Sequence, residues 1–229
     1  MDDFLAGFAE LFDRYDVPGA FLVNIQLTFW AAILSLLLGT VLALMRISPI
    51  ASLQWVGTAY VTVFRNTPLT IILTFMYLVV FSQLGITLSD DLATTFFWFA
   101  VIGLSVYHAA FVCEAIRSGV NTVPVGQAEA ARAIGLSFLP AAGLVIFPQA
   151  FRGAIAPLGN TLIALLKNST VAAAASVATE TSSQMRTMIE YRPDLMVAIF
   201  LTFAIGYVIL VIPIGVGTTW LSSRLAVKR

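Results

Sequence analysis

Few side chains in this 229-residue chain could carry out a reaction. There is one histidine, His108, beside Tyr107, and one cysteine, Cys113, five residues further on. A zinc or di-metal site needs three or more converging His, Cys or carboxylate ligands, so no metal site is expected. A lone cysteine also forms no internal disulfide and reads as a small core residue. His108 has two readings, a proton relay or an interhelical hydrogen bond within an apolar stretch. No phosphate-binding Gly-x-x-x-x-Gly-Lys-Ser/Thr loop and no Gly-x-Ser-x-Gly elbow is present. No catalytic residue is expected, and no cofactor bound by the chain itself.

Charges inside apolar sequence demand a reason, because an ionisable group in lipid is costly and ordinarily faces protein or water. Lys167 heads a polar patch, Lys167-Asn168-Ser169-Thr170, that divides two short apolar runs. It follows Pro157 by about ten residues, roughly 15 Å at helical rise, near the middle of a membrane. Lys167 either faces a translocation pathway, complementing a carboxylate of the cargo, or pairs with helix carbonyls or a partner subunit. Asn160, in the same segment, and Arg65 complete the candidate pathway residues. Arg65 precedes Asn66-Thr67-Pro68; Pro68 frees a backbone carbonyl that Asn66 or Thr67 can satisfy. Arg65 is then a gating residue or snorkels to the interface. Glu114 and Arg117, three residues apart, share a helix face and form an ion pair.

The elements that position these residues are membrane spans. Mean hydropathy is +0.94 and only 10% of residues are charged, too few to cover a soluble domain of this size. The net charge of zero gives no footprint for nucleic acid. A spanning helix needs roughly 20 apolar residues. Five segments qualify: Phe21–Met45, Val61–Gln83, Thr95–Ala115, Ile155–Ala178 and Leu195–Leu221. Seven cations (Arg46, Arg117, Arg132, Arg152, Arg224, Lys228, Arg229) fall on one side and three (Arg14, Arg186, Arg192) on the other. The positive-inside rule then places the N-terminus outside and the C-terminus in the cytoplasm. Residues 1–19 carry Phe4, Leu5, Phe8, Leu11 and Phe12 at helical spacing and read as an amphipathic segment on the outer surface. Residues 20–229 form a single membrane domain. No internal repeat is visible.

Between the third and fourth spans lies a loop at about 119–148. Pro124 suits a helix start, Gln127–Ile134 is strong helix former, and Gly135 sits where a left-handed C-cap is wanted. Ser137 can cap a second short helix that ends before Pro148. The result is a compact helix–turn–helix whose surface offers Ala128, Ala130, Ala131 and Ala133 beside Glu129 and Arg132. Such a knob fits a socket on another protein, although a plain connector between spans needs no partner.

This loop resembles the EAA loop of ABC importer permeases: Glu129-Ala130-Ala131, three residues, Gly135, nine residues, then Val145-Ile146-Phe147-Pro148, with Gly126-Gln127 flanking. Val145 and Phe147 replace Ile and Leu of the family pattern. The chain is similar over most of its length to the polar amino acid uptake branch of that family, through Arg65-Asn66-Thr67-Pro68, Glu114-Ala115-Ile116-Arg117-Ser118-Gly119, Pro148-Gln149-Ala150-Phe151-Arg152, Pro157, Asn160 and Lys167-Asn168-Ser169-Thr170. Asn66 stands for the family's Gly, and Phe111 where many members have Tyr. Arg-Asn-Thr-Pro with Lys-Asn-Ser-Thr looks most like the glutamate-uptake permeases.

The resemblance implies an all-α, five-span permease of the type I importer fold in a bacterial inner membrane. It implies an ATPase-coupling role for Gly126, Gln127, Glu129, Ala130, Ala131, Gly135 and Pro148. It also implies two copies of a separate ATPase that consumes the ATP, a second, related but different permease chain, an extracytoplasmic solute-binding protein, and a polar amino acid as cargo. The rival readings are an ion-coupled secondary transporter using Lys167 and His108, and a membrane scaffold or channel that only recruits a partner.

Overall fold

The computed structural model describes residues 2–225, with the side chains of residues 2–6 and 8 left aside. Phe4, Leu5, Phe8, Lys228 and Arg229, used above for the amphipathic segment and the charge bias, therefore lie outside the described side chains. Every element among the described residues is helical. In order they are α1 (Asp2–Arg14), α2 (Val17–Ile47), α3 (Ala51–Asn66), α4 (Leu69–Phe75) running into a π-helical turn (Met76–Phe81), α5 (Leu92–Val120), α6 (Val125–Ala133), α7 (Phe138–Ala141) with a π-helical turn (Ala142–Ile146), α8 (Phe147–Asn168), a 3-10 helix (Ser169–Ala175), α9 (Thr181–Tyr191), a 3-10 turn (Pro193–Leu195) and α10 (Met196–Leu225). Helices confined to lipid satisfy every backbone group internally, which is why a chain this apolar folds as helix throughout.

Four helical runs are long and apolar enough to cross a membrane: Val17–Ile47, Leu92–Val120, Phe138–Ala175 and Pro193–Leu225. The second expected span, Val61–Gln83, is broken. Ala51–Asn66 and Leu69–Phe81 together pass the same test, but the helix stops at Thr67, whose backbone is extended (φ −97°, ψ 129°). Pro68 dictates this, because its ring disfavours helical geometry at the residue before it. Asn66 Nδ2 donates to the Thr62 carbonyl at 2.7 Å and Thr67 Oγ1 to the Val63 carbonyl at 2.9 Å, so both side chains bond back into the last turn, two residues and one residue before Phe64, whose carbonyl Pro68 frees.

The fourth span departs from expectation at its start. The helix does not end at Pro148 but runs through it from Phe138. A π-helical turn at Ala142–Ile146 precedes Pro148 and contains Leu144, whose carbonyl Pro148, having no N–H, leaves without an i+4 donor. Gln149 Nε2 then satisfies the Val145 carbonyl at 2.8 Å.

The chain divides into two compact units, each with its own interior. The first comprises Met1–Ala31, Leu69–Leu104 and Leu165–Pro213. Its core packs Leu11, Val17, Met188, Leu195, Ile199 and Phe203. Leu11 thus faces protein, while Phe12 is exposed. Glu10 accepts bonds from Tyr191 and Arg192 and ties α1 to the end of α9. Asp91 caps α5, accepting from the Thr94 N–H at 2.8 Å and its hydroxyl at 2.6 Å, and these bonds hold its carboxyl below the usual carboxylate range.

The second unit comprises Ala32–Pro68, Ser105–Ala164 and Ile214–Arg229. Leu42, Ala43, Val61, Ala109, Ala110 and Cys113 are among its buried residues, with Ala142 and Phe147 from the loop side joining the same cluster. Cys113 is fully buried, the small core residue expected. In lipid there is little hydrophobic drive between helices, so close packing of small residues and buried hydrogen bonds hold such a unit together. One such bond runs from Tyr60 OH to the Val106 carbonyl at 2.8 Å.

Candidate functional site

Two groups of residues carry functional interest, one in each unit. In the second unit, α6 begins at Val125 directly after Pro124, which is extended (φ −57°, ψ 134°), and ends in a left-handed cap at Gly135 (φ +87°). The Leu136 N–H bonds the Ala131 carbonyl and the Gly135 N–H the Arg132 carbonyl, both at 3.0 Å. This is the paired bonding that a glycine C-cap makes possible, because a Cβ is strained at that φ. Ser137 is extended before α7, but its side chain makes no capping bond.

Of the residues expected on this knob, Gly126, Gln127, Glu129, Ala130, Arg132 and Ala133 are exposed. Ala131 is not: it is buried and faces the body of the unit, so its small size serves internal packing. Pro148 lies within α8. The sequence reading missed the apolar side chains the knob leaves in the open. Val125 is 73%, Ile134 78% and Leu144 73% exposed, and Leu139 is also exposed. Val125 and Ile134 are large apolar groups left open on the connector itself, whereas Leu139 and Leu144 belong to the run Phe138–Ala175 that is long and apolar enough to cross a membrane. Val125 and Ile134 flank the helix formers, a signal available to sequence had the pattern been read for surface. A cavity of about 990 Å³ lies behind α6, bounded by Ser48 of the α2–α3 turn, Gln54 of α3, Asn121 and Arg132.

Just above the loop, Glu114 of α5 gathers three guanidinium groups. Arg117 lies at 3.4 Å, as its spacing predicts. Arg46, from the end of α2, is bonded to the same oxygen, and Arg65, from the end of α3, stands 4.0 Å away and 5.7 Å from the centroid of the Phe111 ring. Phe111 thus still offers Arg65 a ring face where a Tyr hydroxyl is absent. Asn160 is exposed on α8. Within the same unit, His108 is buried and stacks edge-on with Tyr107 at 5.1 Å.

The first unit holds the polar patch. Lys167 is exposed at the end of α8 and, among the described residues, has no ion-pair partner. Its carbonyl accepts from Thr170 Oγ1 at 2.8 Å, which turns the chain into the 3-10 helix. Ser169 is fully buried: its hydroxyl donates to the Leu166 carbonyl at 2.7 Å and accepts from Asn24 Nδ2 at 2.8 Å. The Asn24 Oδ1 accepts the Thr181 N–H at 2.9 Å, so one amide brackets the whole 3-10 segment. The segment ends at Ser176 in the left-handed region (φ +64°), a conformation that costs a non-glycine residue about 1–2 kcal/mol. Beside it Glu180, fully buried, caps α9 by accepting the Ser182 and Ser183 N–H groups at 2.8 and 2.6 Å. Burial pushes its carboxyl above the ordinary value, and these bonds pull the other way. Asn24, Ser176 and Glu180 were not foreseen; the partners of Asn24 lie 145 and 157 residues away, whereas those of Glu180 are its own neighbours Ser182 and Ser183.

Among the described residues no group of three His, Cys or carboxylate side chains could hold a metal ion. With the geometry in place, comparison with known proteins is informative. The chain is 46% identical over 215 residues to a glutamate transport system permease protein of Corynebacterium efficiens, covering 92% of this chain and 94% of the relative. It is 36% identical over 191 residues to a probable glutamine ABC transporter permease protein of Bacillus subtilis, covering 83% and 84%. A crystal structure of an amino acid ABC transporter with histidines superposes with a TM-score of 0.77 at 27% identity, over 96% of both chains. The expected all-helical permease fold is confirmed. The relatives are transport subunits, so the chain is a permease and not an enzyme, ATP hydrolysis falling to a separate subunit. Residues 35–227 match the binding-protein-dependent transport system inner membrane components, and the chain belongs to that family.

Proposed function

We propose that this chain is the permease of an importer of glutamate or a closely related acidic amino acid. The observation that carries this reading is the 46% identity, along nearly the full length of both chains, to a permease named for glutamate transport. Lys167 supports it: an exposed ammonium without a partner among the described residues suits a cargo carboxylate. Thr170 and Asn168 flank it, whereas the Ser169 hydroxyl is already used by Leu166 and Asn24 and serves position. Arg65 and Asn160, both exposed, extend the candidate pathway.

The knob is the ATPase-docking element in this reading, through Gly126, Gln127, Glu129 and Ala130 together with the exposed Val125 and Ile134. Ala131, Gly135 and Pro148 shape it from within. The knob is cytoplasmic, the N-terminus outside, and α1 lies at the outer interface, as the cation bias argues. Residues 20–229 form the transmembrane domain. Two ATPase copies, a second and different permease chain and an extracytoplasmic binding protein complete the assembly, and no cofactor is held by this chain.

The test is uptake of radiolabelled glutamate by the reconstituted transporter, with unlabelled amino acids as competitors. Glutamate and aspartate should compete, and arginine should not. Competition by arginine alone would overturn the substrate assignment.

A further inference from the structure

Two close backbone approaches close the stem of the knob. A Cβ on Gly119, in the last turn of α5, would stand 2.1 Å from the Ala150 carbonyl oxygen and 2.9 Å from the Ala154 methyl in α8. A Cβ on Gly153 would meet Thr122 Oγ1 at 2.5 Å and the Gly119 Cα at 3.4 Å. Neither neighbour of Gly119 can yield, since one is backbone and Ala154 is fully buried. The end of α5 and the first turns of α8 are therefore seated on each other, and a displacement of α6 and α7 is handed to α5 rather than absorbed at the stem.

Glu114 lies five residues before Gly119 on α5. Among the described residues it is the sole carboxylate paired with Arg46 and Arg65, and so ties the ends of α2 and α3 to α5. The side chain of Arg46 is 12% exposed against 48% for Arg65, so the Arg46 pair is the tighter and drier of the two. With three guanidinium groups sharing one carboxylate, a small shift of α5 changes which arginine Glu114 serves.

We propose that Gly119 and Glu114 are positioning residues that transmit movement of the knob to α2 and α3, so that ATP use is coupled to transport through the Arg46–Glu114–Arg65 cluster. This rests on the docking reading of the knob. The experiment uses the complete transporter in liposomes and reads three quantities: ATPase retained on co-purification, ATP hydrolysed, and amino acid transported per ATP. Glu114→Gln is expected to keep ATPase binding and hydrolysis within twofold and to lower transport per ATP at least tenfold, with Glu114→Asp restoring most of it; Gly119→Ala, whose methyl forces α5 away from α8, is expected to lower the same ratio. Arg65→Gln, at a half-exposed side chain, is expected to lower the same ratio about threefold at saturating amino acid with KM for the amino acid unchanged, which a lost cargo contact would not do, and carries the test if Glu114→Gln does not assemble. An assembled Glu114→Gln or Gly119→Ala variant with an unchanged ratio overturns the proposal, as does an unchanged ratio in Arg65→Gln where Glu114→Gln fails to assemble. Failure of the docking reading looks different, because the wild-type chain would then not retain an ATPase at all.

Discussion

Asn24 donates to Ser169 and accepts from Thr181 in a buried setting, across 145 and 157 residues of sequence. Asn24→Leu leaves the Thr181 N–H unpaired, which costs about 1–3 kcal/mol. The expected readout is a lowered melting temperature in detergent; an unchanged one would mean that water reaches the site. Glu180 gives a pH prediction. Its folded-state pKa is raised above 4.5, so the native state binds its proton more tightly than the unfolded chain does. The sign follows: the contribution of Glu180 to stability is fully present below about 4.5 and is lost as pH rises from there through the raised value. Glu180→Gln, which keeps one acceptor for the α9 cap, should flatten that part of the melting profile. At Lys167, Lys167→Met is expected to raise the KM for amino acid uptake about tenfold, and an unchanged KM would remove it from the pathway. Local spacing made Lys167 and the Glu114–Arg117 pair legible in sequence. The Arg46 and Asn24 contacts were not, because nothing in a single sequence marks partners 68 or 145 residues apart.

The turn chemistry of the knob was readable at the level of elements: Gly135 adopts the left-handed cap that its place after a run of helix formers required. Gly135→Ala should cost about 1 kcal/mol locally and loosen the loop, visible as faster hydrogen exchange at Leu136. Helix breaks were read less well. Pro68 breaks its span, whereas Pro148, Pro157 and Pro213 lie inside helices, a difference that no local propensity announces. Surface was hidden too. Pattern alone does not say which alanine faces in, and Ala131 does while Ile134 does not. Ile134→Asp removes an apolar contact worth roughly 1.5–3 kcal/mol when buried, so ATPase affinity should fall at least tenfold in a binding titration. Unchanged affinity would move the docking face elsewhere on the knob.

For the whole molecule, hydropathy and span length were sufficient to read an all-helical membrane protein, and the match over residues 35–227 gives it a family. What drives it is the claim on which the rest depends. A permease that depends on a separate ATPase does no chemistry, so cargo must move with ATP turnover and not with an ion gradient. The direct measurement is glutamate uptake into liposomes holding this chain with its ATPase, partner permease and binding protein. Uptake should continue when proton and sodium gradients are collapsed and stop when ATP is withheld. Uptake that stops with the gradients and persists without ATP would contradict the account.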